Sequence, residues 1–599
     1  MPRAGVLIGL LVMLFGLMLA AIPAPTATQA QTAATPTPLP LYALPDSRIN
    51  RVSGSSTIAM AGDGRTFVSA NMINNSATIF IPAFDQVVAE IPVGRDPRGA
   101  AITPDNTRAL ITNRLDSSLS VIDINQHVVV VTIPLGGAWA YGVVAASNEI
   151  AYVSLMGSDQ IAVVDLVAGA VRTLIDVPDA PAGLALWGDF LYVTHFWSGD
   201  VSLVYLPRAR TFETVSTGAG TALFQSIEID ITRGIAYLPQ TRLNDGNPSL
   251  TFDTTALPIV NVVTLSDLTL SRRSRIALDT ADQPVNMPFA TALDRFGRRL
   301  YVANAGSDSV TVIDLNTGQA RAHVQVGANP RGLLLSRDNT LLYVHNALDG
   351  TVTTVDTRSF QPTQVLPIID LQQSLEVLLG AQLFHSAGDP RLAADGWLSC
   401  ATCHFDGMSD GNVWMGFPGG PRNTPLLYQL PETVPYTWTG SWDELADVEH
   451  KIRWLQAGAG LAETLALPEL LGQPMAGQSP DLDLLTNYLR SLQPPSASPA
   501  APQEAFARGR EVFAELDCAS CHVGPAGTDL QGHDVGTGAL FDTPSLRWLW
   551  LSAPYYHDGS ATTLRQVFEL AGAHQLIYVL PPEDIDALVT YLLAFSIES

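Results

Sequence analysis

The sequence predicts a multidomain protein, in which an N-terminal all-β propeller of seven blades precedes two mainly α domains in tandem. Three observations predict this architecture. The chain has 599 residues, which is more than one core of ordinary size holds. A phrase typical of β-strands recurs about every 42 residues between positions 58 and 370. A Cys-x-x-Cys-His pattern then occurs twice in the C-terminal part of the chain.

Composition excludes several classes of protein. Apolar residue types make up 47% of the chain and charged types 15%, so the chain is not intrinsically disordered. The formal net charge is −25, and a strongly acidic field repels phosphate backbones, so no nucleic acid partner is expected. All four cysteines lie in the two repeated motifs, which leaves none for a disulfide scaffold.

The N-terminus predicts export. Residues 1–30 combine Arg3, an apolar run over 5–22 and small residues up to Ala30, which is the layout of a secretory signal peptide. An uncleaved membrane anchor is the alternative, and only in that case is membrane contact expected. Both interpretations place the rest of the chain outside the cytoplasm, in the periplasm or at the cell surface. Residues 31–50 form a Pro/Thr-rich linker.

The repeat defines the predicted propeller over residues 51–370. One phrase of the repeat, such as GSDSVTVIDL at 306–315, ends on an aspartate in most copies. A strand phrase such as LYVTHF, LYVANA or LYVHNA comes before this phrase in the chain. Each unit contains about four short strands separated by Gly, Asp and Asn turns. Six anchored units and a first one from about residue 58 give seven blades, with an insertion of about 22 residues around 241–258. This region resembles the YVTN-type β-propellers, which implies the fold but says little about activity, because propellers serve many functions.

The two Cys-x-x-Cys-His motifs predict two covalently attached haem c groups. Two thiols add to the vinyl groups of one porphyrin, and the following histidine becomes the proximal iron ligand. A zinc ribbon would place its cysteine pairs about 15–20 residues apart, and a redox dithiol would not require the histidines. The predicted haem-binding residues are Cys400, Cys403 and His404 in the first motif and Cys518, Cys521 and His522 in the second.

The sequence around the motifs is duplicated. RNTPLLYQLPETVPYTWTGS (422–441) matches FDTPSLRWLWLSAPYYHDGS (541–560), and GAQLF (380–384) matches GREVF (509–513). Each copy ends in an amphipathic helix, predicted over 483–492 and 586–595. We therefore expect two cytochrome c-type domains at 371–495 and 504–599, joined by a linker at 496–503.

About the last 220 residues resemble the bacterial dihaem cytochrome c peroxidase and MauG superfamily, through its CxxCH, TPxLR and APYxHDG phrases. The resemblance implies that the residue before the His of APYxHDG is a distal iron ligand, which makes Tyr556 the prediction for the second iron. His533, His557, His574, water or no ligand remain alternatives there. The matching residue of the first copy is Thr437, a poor ligand, so Met408 is predicted for the first iron, with Met415 and Met475 as alternatives.

Ligation decides between two functions. A haem with two firm protein ligands is limited to electron transfer, whereas an open iron can cleave peroxide. The resemblance also implies a distal Glu beyond a WxGR phrase, but Ser441 replaces that Arg and neither Glu444 nor Glu449 fits the register. We therefore expect an exported dihaem electron carrier whose propeller docks a partner or substrate, and whose partner is a redox protein or a small electron donor or acceptor. The alternatives are a peroxidase or MauG-like oxidase that reacts with hydrogen peroxide, and a propeller-centred binding module with accessory haems.

Overall fold

The structure is a computed structural model that describes residues 53–251, 254–265, 269–270, 275–278, 283–371, 373–463, 474–494 and 501–595. The predicted signal peptide, the linker at 31–50 and most of the linker at 496–503 lie outside these residues. None of the helices in the described ranges is long and apolar enough to cross a membrane.

Seven antiparallel sheets form the blades of the predicted propeller, and each is built almost entirely from one continuous segment. Blades 1 to 3 have the strands Ile58–Met60, Phe67–Asn71, Ser76–Ile81 and Gln86–Pro92; Pro97–Ile102, Arg108–Asn113, Ser118–Asp123 and Val128–Pro134; and Ala140–Ala145, Ile150–Leu155, Gln160–Asp165 and Ala170–Asp176. Blade 4 has Pro181–Trp187, Phe190–His195, Val201–Tyr205 and Arg210–Val215, with Ser53–Gly54 added.

Blade 5 contains the insertion, and its described residues form six strands. They are Thr221–Ala222, Glu228–Asp230, Ile235–Leu243, Ala256–Thr264, Thr269–Leu270 and Ile276–Ala277. Blades 6 and 7 have Pro288–Leu293, Arg299–Asn304, Ser309–Asp314 and Gln319–Gln325; and Pro330–Leu335, Leu341–Asn346, Thr351–Asp356 and Gln361–Pro367. The seven-bladed prediction is therefore confirmed.

The small residues and the aspartates of the repeat recur for two different physical reasons. A Cβ on Gly99 would meet the carbonyl of Tyr141 in the next blade, and one on Gly142 would meet the carbonyl of Ala182, so the inner strands approach too closely for a side chain. Asp123 ends its strand and accepts the turn amides of the two residues that follow Ile124, both at 2.9 Å.

The insertion lengthens one hairpin of blade 5 until it reaches the helical region. Ile235–Leu243 and Ala256–Thr264 pair along all nine residues. At the tip, the carbonyl of Asp245 accepts the amide of Met415 at 2.9 Å. The extra residues therefore form a contact between the propeller and the first helical domain.

Two helical domains follow the propeller. The first contains α1 (Leu375–His385), α2 (Cys400–Cys403), α3 (Val448–Trp454) and α4 (Pro480–Ser491), and the second contains α5 (Gln503–Glu515), α6 (Leu564–Val567) and α7 (Pro582–Leu593). Each domain also has one pair of short strands, Val413–Trp414 with Arg422–Asn423 and Gly532–His533 with Phe541–Asp542. Short 3-10 turns lie at Pro82–Phe84, Leu206–Arg208, Ala394–Gly396, Phe405–Gly407, Leu430–Glu432, Leu445–Asp447, Cys518–Ser520 and Leu549–Leu551.

The first and last helices of each domain cross at a glycine. A Cβ on Gly380 of α1 would meet the carbonyl of Leu484 in α4, and one on Gly509 of α5 would meet the carbonyl of Ala587 in α7. The duplication is thus visible in the packing. Helices α4 and α7 start three or four residues before their predicted positions, because each opens on a proline and an acidic first turn that carry no apolar periodicity.

Candidate haem-binding site

The first Cys-x-x-Cys-His motif forms a short capped helix. The backbone amide of Ser399, the residue before α2, donates to the Thr402 hydroxyl at 3.1 Å, which fixes the start of this helix. The amide of His404 donates to the Cys400 carbonyl at 2.9 Å, so the imidazole follows directly on the two thiols. Burial lowers the pKa of His404 to about 4, which leaves a neutral ring with a nitrogen lone pair for a metal.

The second motif orients its histidine through the backbone. Nδ1 of His522 lies 2.9 Å from the carbonyl oxygen of Gly527. Because a carbonyl only accepts, Nδ1 carries the proton and Nε2 is left with the lone pair. Burial also lowers the pKa of His522. All four motif cysteines are free thiols, as attachment to a porphyrin requires.

Tyr556 and His574 lie close to the second motif. The ring centroids of His522 and His574 are 6.3 Å apart, and those of Tyr556 and His574 are 6.2 Å apart. The Tyr556 hydroxyl is 3.4 Å from Nδ1 of His574. Two of the predicted alternatives for the second iron therefore lie together beside the proximal histidine.

The other two histidines of the second domain have different surroundings. His533 is 2.7 Å from a carboxylate oxygen of Asp529, and these two side chains cluster with the thiol of Cys521. His557 stacks on the ring of Phe541 with centroids 3.8 Å apart. Each of these imidazoles thus has its own partner within the domain.

Thr437 occupies the position in the first domain that Tyr556 occupies in the second. Both residues have left-handed backbones, with φ of 72° and 66°, so the two chain turns match. The Thr437 hydroxyl lies 2.9 Å from that of Ser441. The first domain therefore presents a short hydroxyl, bonded to a neighbouring hydroxyl, where the second presents a phenol.

The three methionines of the first domain lie in three different environments. The sulfur of Met408 is fully buried, 3.9 Å from Nη1 of Arg114 in the propeller. Met415 is 46% exposed at the contact with the blade 5 hairpin. Met475 is buried, and its amide donates to the carboxylate of Glu444. Ligation of iron by Met408 would require its sulfur to leave the guanidinium.

Both glutamates that the sequence raised as acids hold the backbone instead. Glu444 accepts the amides of Met475 and Ala476. Glu449 is fully buried, pairs with Arg453 at 2.7 Å, and accepts the amide of Leu461 at 2.9 Å and a second amide from the next residue. Their carboxylates are therefore engaged in fixing the loops that follow.

Lys451 is a residue that sequence reasoning missed. Its ammonium lies 4.4 Å from the ring centroid of Phe417, 5.1 Å from that of Trp454 and 5.9 Å from that of Trp442. Burial lowers its pKa to about 8, and its charge contributes to the lowered pKa of His404. The available signal was that the only lysine of the chain lies among tryptophans.

The donor set fits haem c. Each domain offers two free thiols and, directly after them, a neutral imidazole beneath an apolar core of aromatic and leucine side chains. A zinc site built from both motifs would need their ligands gathered into one tetrahedron, whereas these thiols and histidines lie in two separate domains.

Comparisons with known proteins agree with this architecture. Residues 263–395 match the family model described as lactonase, 7-bladed beta-propeller. Residues 374–467 match di-haem cytochrome c peroxidase, and residues 506–596 match cytochrome c. The chain therefore combines a seven-bladed propeller with a dihaem peroxidase-type domain and a cytochrome c domain, as the resemblance implied.

Three curated relatives each match between 32% and 39% of the chain. Cytochrome c551 peroxidase of Pseudomonas aeruginosa is 24% identical over 38% of this chain and 80% of its own length. Cytochrome c peroxidase Ccp of Escherichia coli is 26% identical over 39% of this chain and 60% of its own length. Methylamine utilization protein MauG of Methylorubrum extorquens is 28% identical over 32% and 67%. The relatives are oxidoreductases, and they favour the peroxidase-like alternative over the expected simple electron carrier.

Proposed function

We propose that this chain is an exported dihaem oxidoreductase of the peroxidase or MauG-like class, which reacts with hydrogen peroxide at its first haem and receives electrons through its second. The observation on which the proposal rests is the asymmetry of two equivalent positions. Tyr556 is a ligand-capable phenol near His522, whereas Thr437 is a short hydroxyl bonded to Ser441. The protein then supplies a sixth ligand to the second iron, whereas the sixth position of the first iron is open to peroxide.

The two haem c groups are proposed to be attached at the predicted residues, Cys400, Cys403 and His404 in the first domain and Cys518, Cys521 and His522 in the second. When bound, they supply two redox-active irons. The protein contributes neutral imidazoles, one of them fixed by the Gly527 carbonyl. Tyr556 is the proposed distal ligand of the second iron, and His574 orients its hydroxyl.

The proposed location is outside the cytoplasm, in the periplasm or at the cell surface. Haem c attachment takes place outside the cytoplasm, which agrees with the predicted signal segment at 1–30. The proposed partners are hydrogen peroxide and a redox partner protein or small electron donor. The acidic net charge of −25 favours a donor with a basic surface.

The proposal is tested by a substitution that offers a protein ligand to the first haem iron. Thr437→Tyr copies the second-domain residue into the first domain. Thr439→Tyr is the control for a bulky phenol in the same turn, because Thr439 is exposed and contacts Thr437 only through its hydroxyl, at 3.3 Å. We expect Thr437→Tyr to slow peroxide consumption by about tenfold or more at unchanged haem content, and Thr439→Tyr to leave it unchanged.

Two results would contradict the proposal. One is a wild-type protein with both haems that does not react with peroxide, which would return the chain to the class of electron carriers. The other is equal peroxide consumption by the wild type and Thr437→Tyr, which would mean that this residue does not face the reacting iron.

A further inference from the structure

A cavity in the propeller is lined in part by side chains that come just before the small anchor residue of their blade, among them Tyr141 and Phe289. In blades 2 and 7 the side chain at this position is an arginine in a Pro-Arg-Gly phrase, Arg98 and Arg331. Both arginines are almost completely buried, at 5% and 2% exposure. A buried guanidinium requires a carboxylate partner, because desolvation of an unpaired charge is costly.

That partner comes from the first haem domain. Asp406, two residues after His404, inserts its carboxylate between the two arginines. Nη1 of Arg98 donates to it at 2.6 Å, and Arg331 donates twice, at 3.0 and 2.8 Å. His385 of α1 lies 3.2 Å from the same carboxylate. Asp406 has a left-handed backbone with φ of 49°, a conformation that an aspartate tolerates better than most residues.

The rest of the iron-binding loop is also seated on the propeller. The ring of Phe405 packs against those of Phe196 and Phe289, with centroids 5.2 and 6.2 Å apart. The amide group of Asn286 donates to the carbonyl of Trp397 at 2.9 Å and to the hydroxyl of Thr402 at 3.1 Å. The propeller therefore contacts the loop on both sides of the two cysteines.

Other charges surround the arginine pair. Arg98 also donates to Asp96 at 3.0 Å, and Arg114 pairs with the same carboxylate. The cluster thus contains three guanidinium groups and two carboxylates, in addition to His385. Three guanidinium hydrogen bonds reach the Asp406 carboxylate, and such charge-assisted bonds favour its ionised form.

We propose that Arg98 and Arg331 are positioning residues for the first haem, which act through Asp406 to hold the loop bearing His404 and to set the reduction potential of that iron. The inference rests on the proposed haem attachment at Cys400 and Cys403, but not on any reaction with peroxide. It gives the propeller a role in the redox centre itself, in addition to the predicted docking of a partner.

The charge of the cluster makes this role distinguishable from simple adhesion between domains. A positive charge near the iron favours the reduced state, and a negative charge favours the oxidised state. Asp406→Asn removes a negative charge and should raise the potential of the first haem. Arg331→Gln and Arg98→Gln each remove a positive charge and should lower it. A loop that is merely loosened would shift all three variants in the same direction.

The experiment is a spectroelectrochemical titration of the haem-loaded full-length protein. The exposed ion pair of Arg321 and Asp314 on blade 6, at 2.8 Å, supplies the matched controls Asp314→Asn and Arg321→Gln. The protein has two haem reduction potentials. We expect Asp406→Asn to raise one of them, Arg331→Gln to lower the same one, and neither variant to move the other. Both control variants should keep the two wild-type potentials. The double variant Arg331→Gln/Asp406→Asn should return towards the wild-type value.

Shifts of the same sign in Asp406→Asn and Arg331→Gln, or no shift in either, would overturn the inference. If Asp406→Asn does not fold, Asp96→Asn takes its place, because it also removes a negative charge from the cluster and should raise the potential that Arg98→Gln and Arg331→Gln lower. Peroxide consumption is measured separately on the same samples. Opposite shifts in a protein that is inert to peroxide would support the positioning role and refute the proposed peroxidase. Shifts of the same sign, or no shift, in a protein that consumes peroxide would refute the positioning role and support the proposed peroxidase.

Discussion

The backbone amides of Asn423 and Asp542, which are equivalent residues of the two haem domains, each donate to the other domain. Asn423 donates to the carbonyl of His557 at 2.6 Å, and Asp542 donates to the carbonyl of Trp438 at 2.9 Å. Because His557 and Trp438 are equivalent as well, the duplicated domains meet through a local pseudo-twofold contact. This contact fixes the two motifs relative to each other, as the proposed electron exchange between them requires.

Asn423→Ala should weaken this contact. The side chain of Asn423 is buried and donates to the carbonyl of Pro554 in the second domain. Loss of this bond should lower the free energy of unfolding by about 1–2 kcal/mol, measured by urea denaturation. Asn316→Ala, at an exposed turn of blade 6, should change it by less than about 0.5 kcal/mol. Equal effects of the two substitutions would show that the Asn423 side chain does not stabilise the interface.

Tyr556→Phe tests the proposed distal ligand of the second iron. Without the phenol oxygen, we expect the absorption and electron paramagnetic resonance spectra to change from low spin towards high spin at one haem. Tyr555→Phe is the matched control, because the Tyr555 hydroxyl donates to the Leu549 carbonyl at 2.9 Å. Identical spectra for both variants would transfer the assignment to His574, and His574→Ala would then produce the change.

Met408→Leu tests the sequence-based prediction that this residue ligates the first iron. Because the sulfur contacts Arg114 at 3.9 Å and an open iron is proposed, we expect the haem spectra to stay unchanged. The similar volume of leucine should limit the loss of stability to about 1.5 kcal/mol or less. A shift of the first haem to high spin in this variant would establish Met408 as the ligand and would remove the open site.

Lys451 should make stability depend on pH in the alkaline range. Burial lowers its pKa from 10.5 to about 8, so the unfolded chain binds more protons than the folded one between these values. Stability of the wild type should therefore rise from about pH 8 to about pH 10, relative to Lys451→Met, which does not titrate there. Urea unfolding of both proteins at each pH gives this difference. A constant difference across the range would show that the ammonium is not desolvated.

Much of the architecture follows from local patterns in the sequence. The 42-residue repeat predicts the propeller because its small anchor residues, such as Gly99 and Gly142, are imposed by the approach of neighbouring blades. The two histidines His404 and His522 follow from chemistry that needs a fixed spacing. The duplicated phrases likewise predict the matching turns at Thr437 and Tyr556, whose backbones have nearly the same φ.

The remaining features depend on contacts between distant parts of the chain. Arg98 and Asp406 are separated by about 300 residues, and periodicity in one blade does not reveal a carboxylate donated by another domain. The signal that was available is the Pro-Arg-Gly phrase, which occurs in blades 2 and 7. Glu444 and Glu449 show the converse, because their residue type suggests acid–base chemistry while their bonds hold backbone amides.

The most direct test of the central claim is the electron paramagnetic resonance spectrum of the oxidised protein before and after addition of hydrogen peroxide. The proposed function predicts one high-spin signal from the haem at His404 and one low-spin signal from the haem at His522, with the high-spin signal lost on addition of peroxide. Two low-spin signals that peroxide leaves unchanged would contradict it.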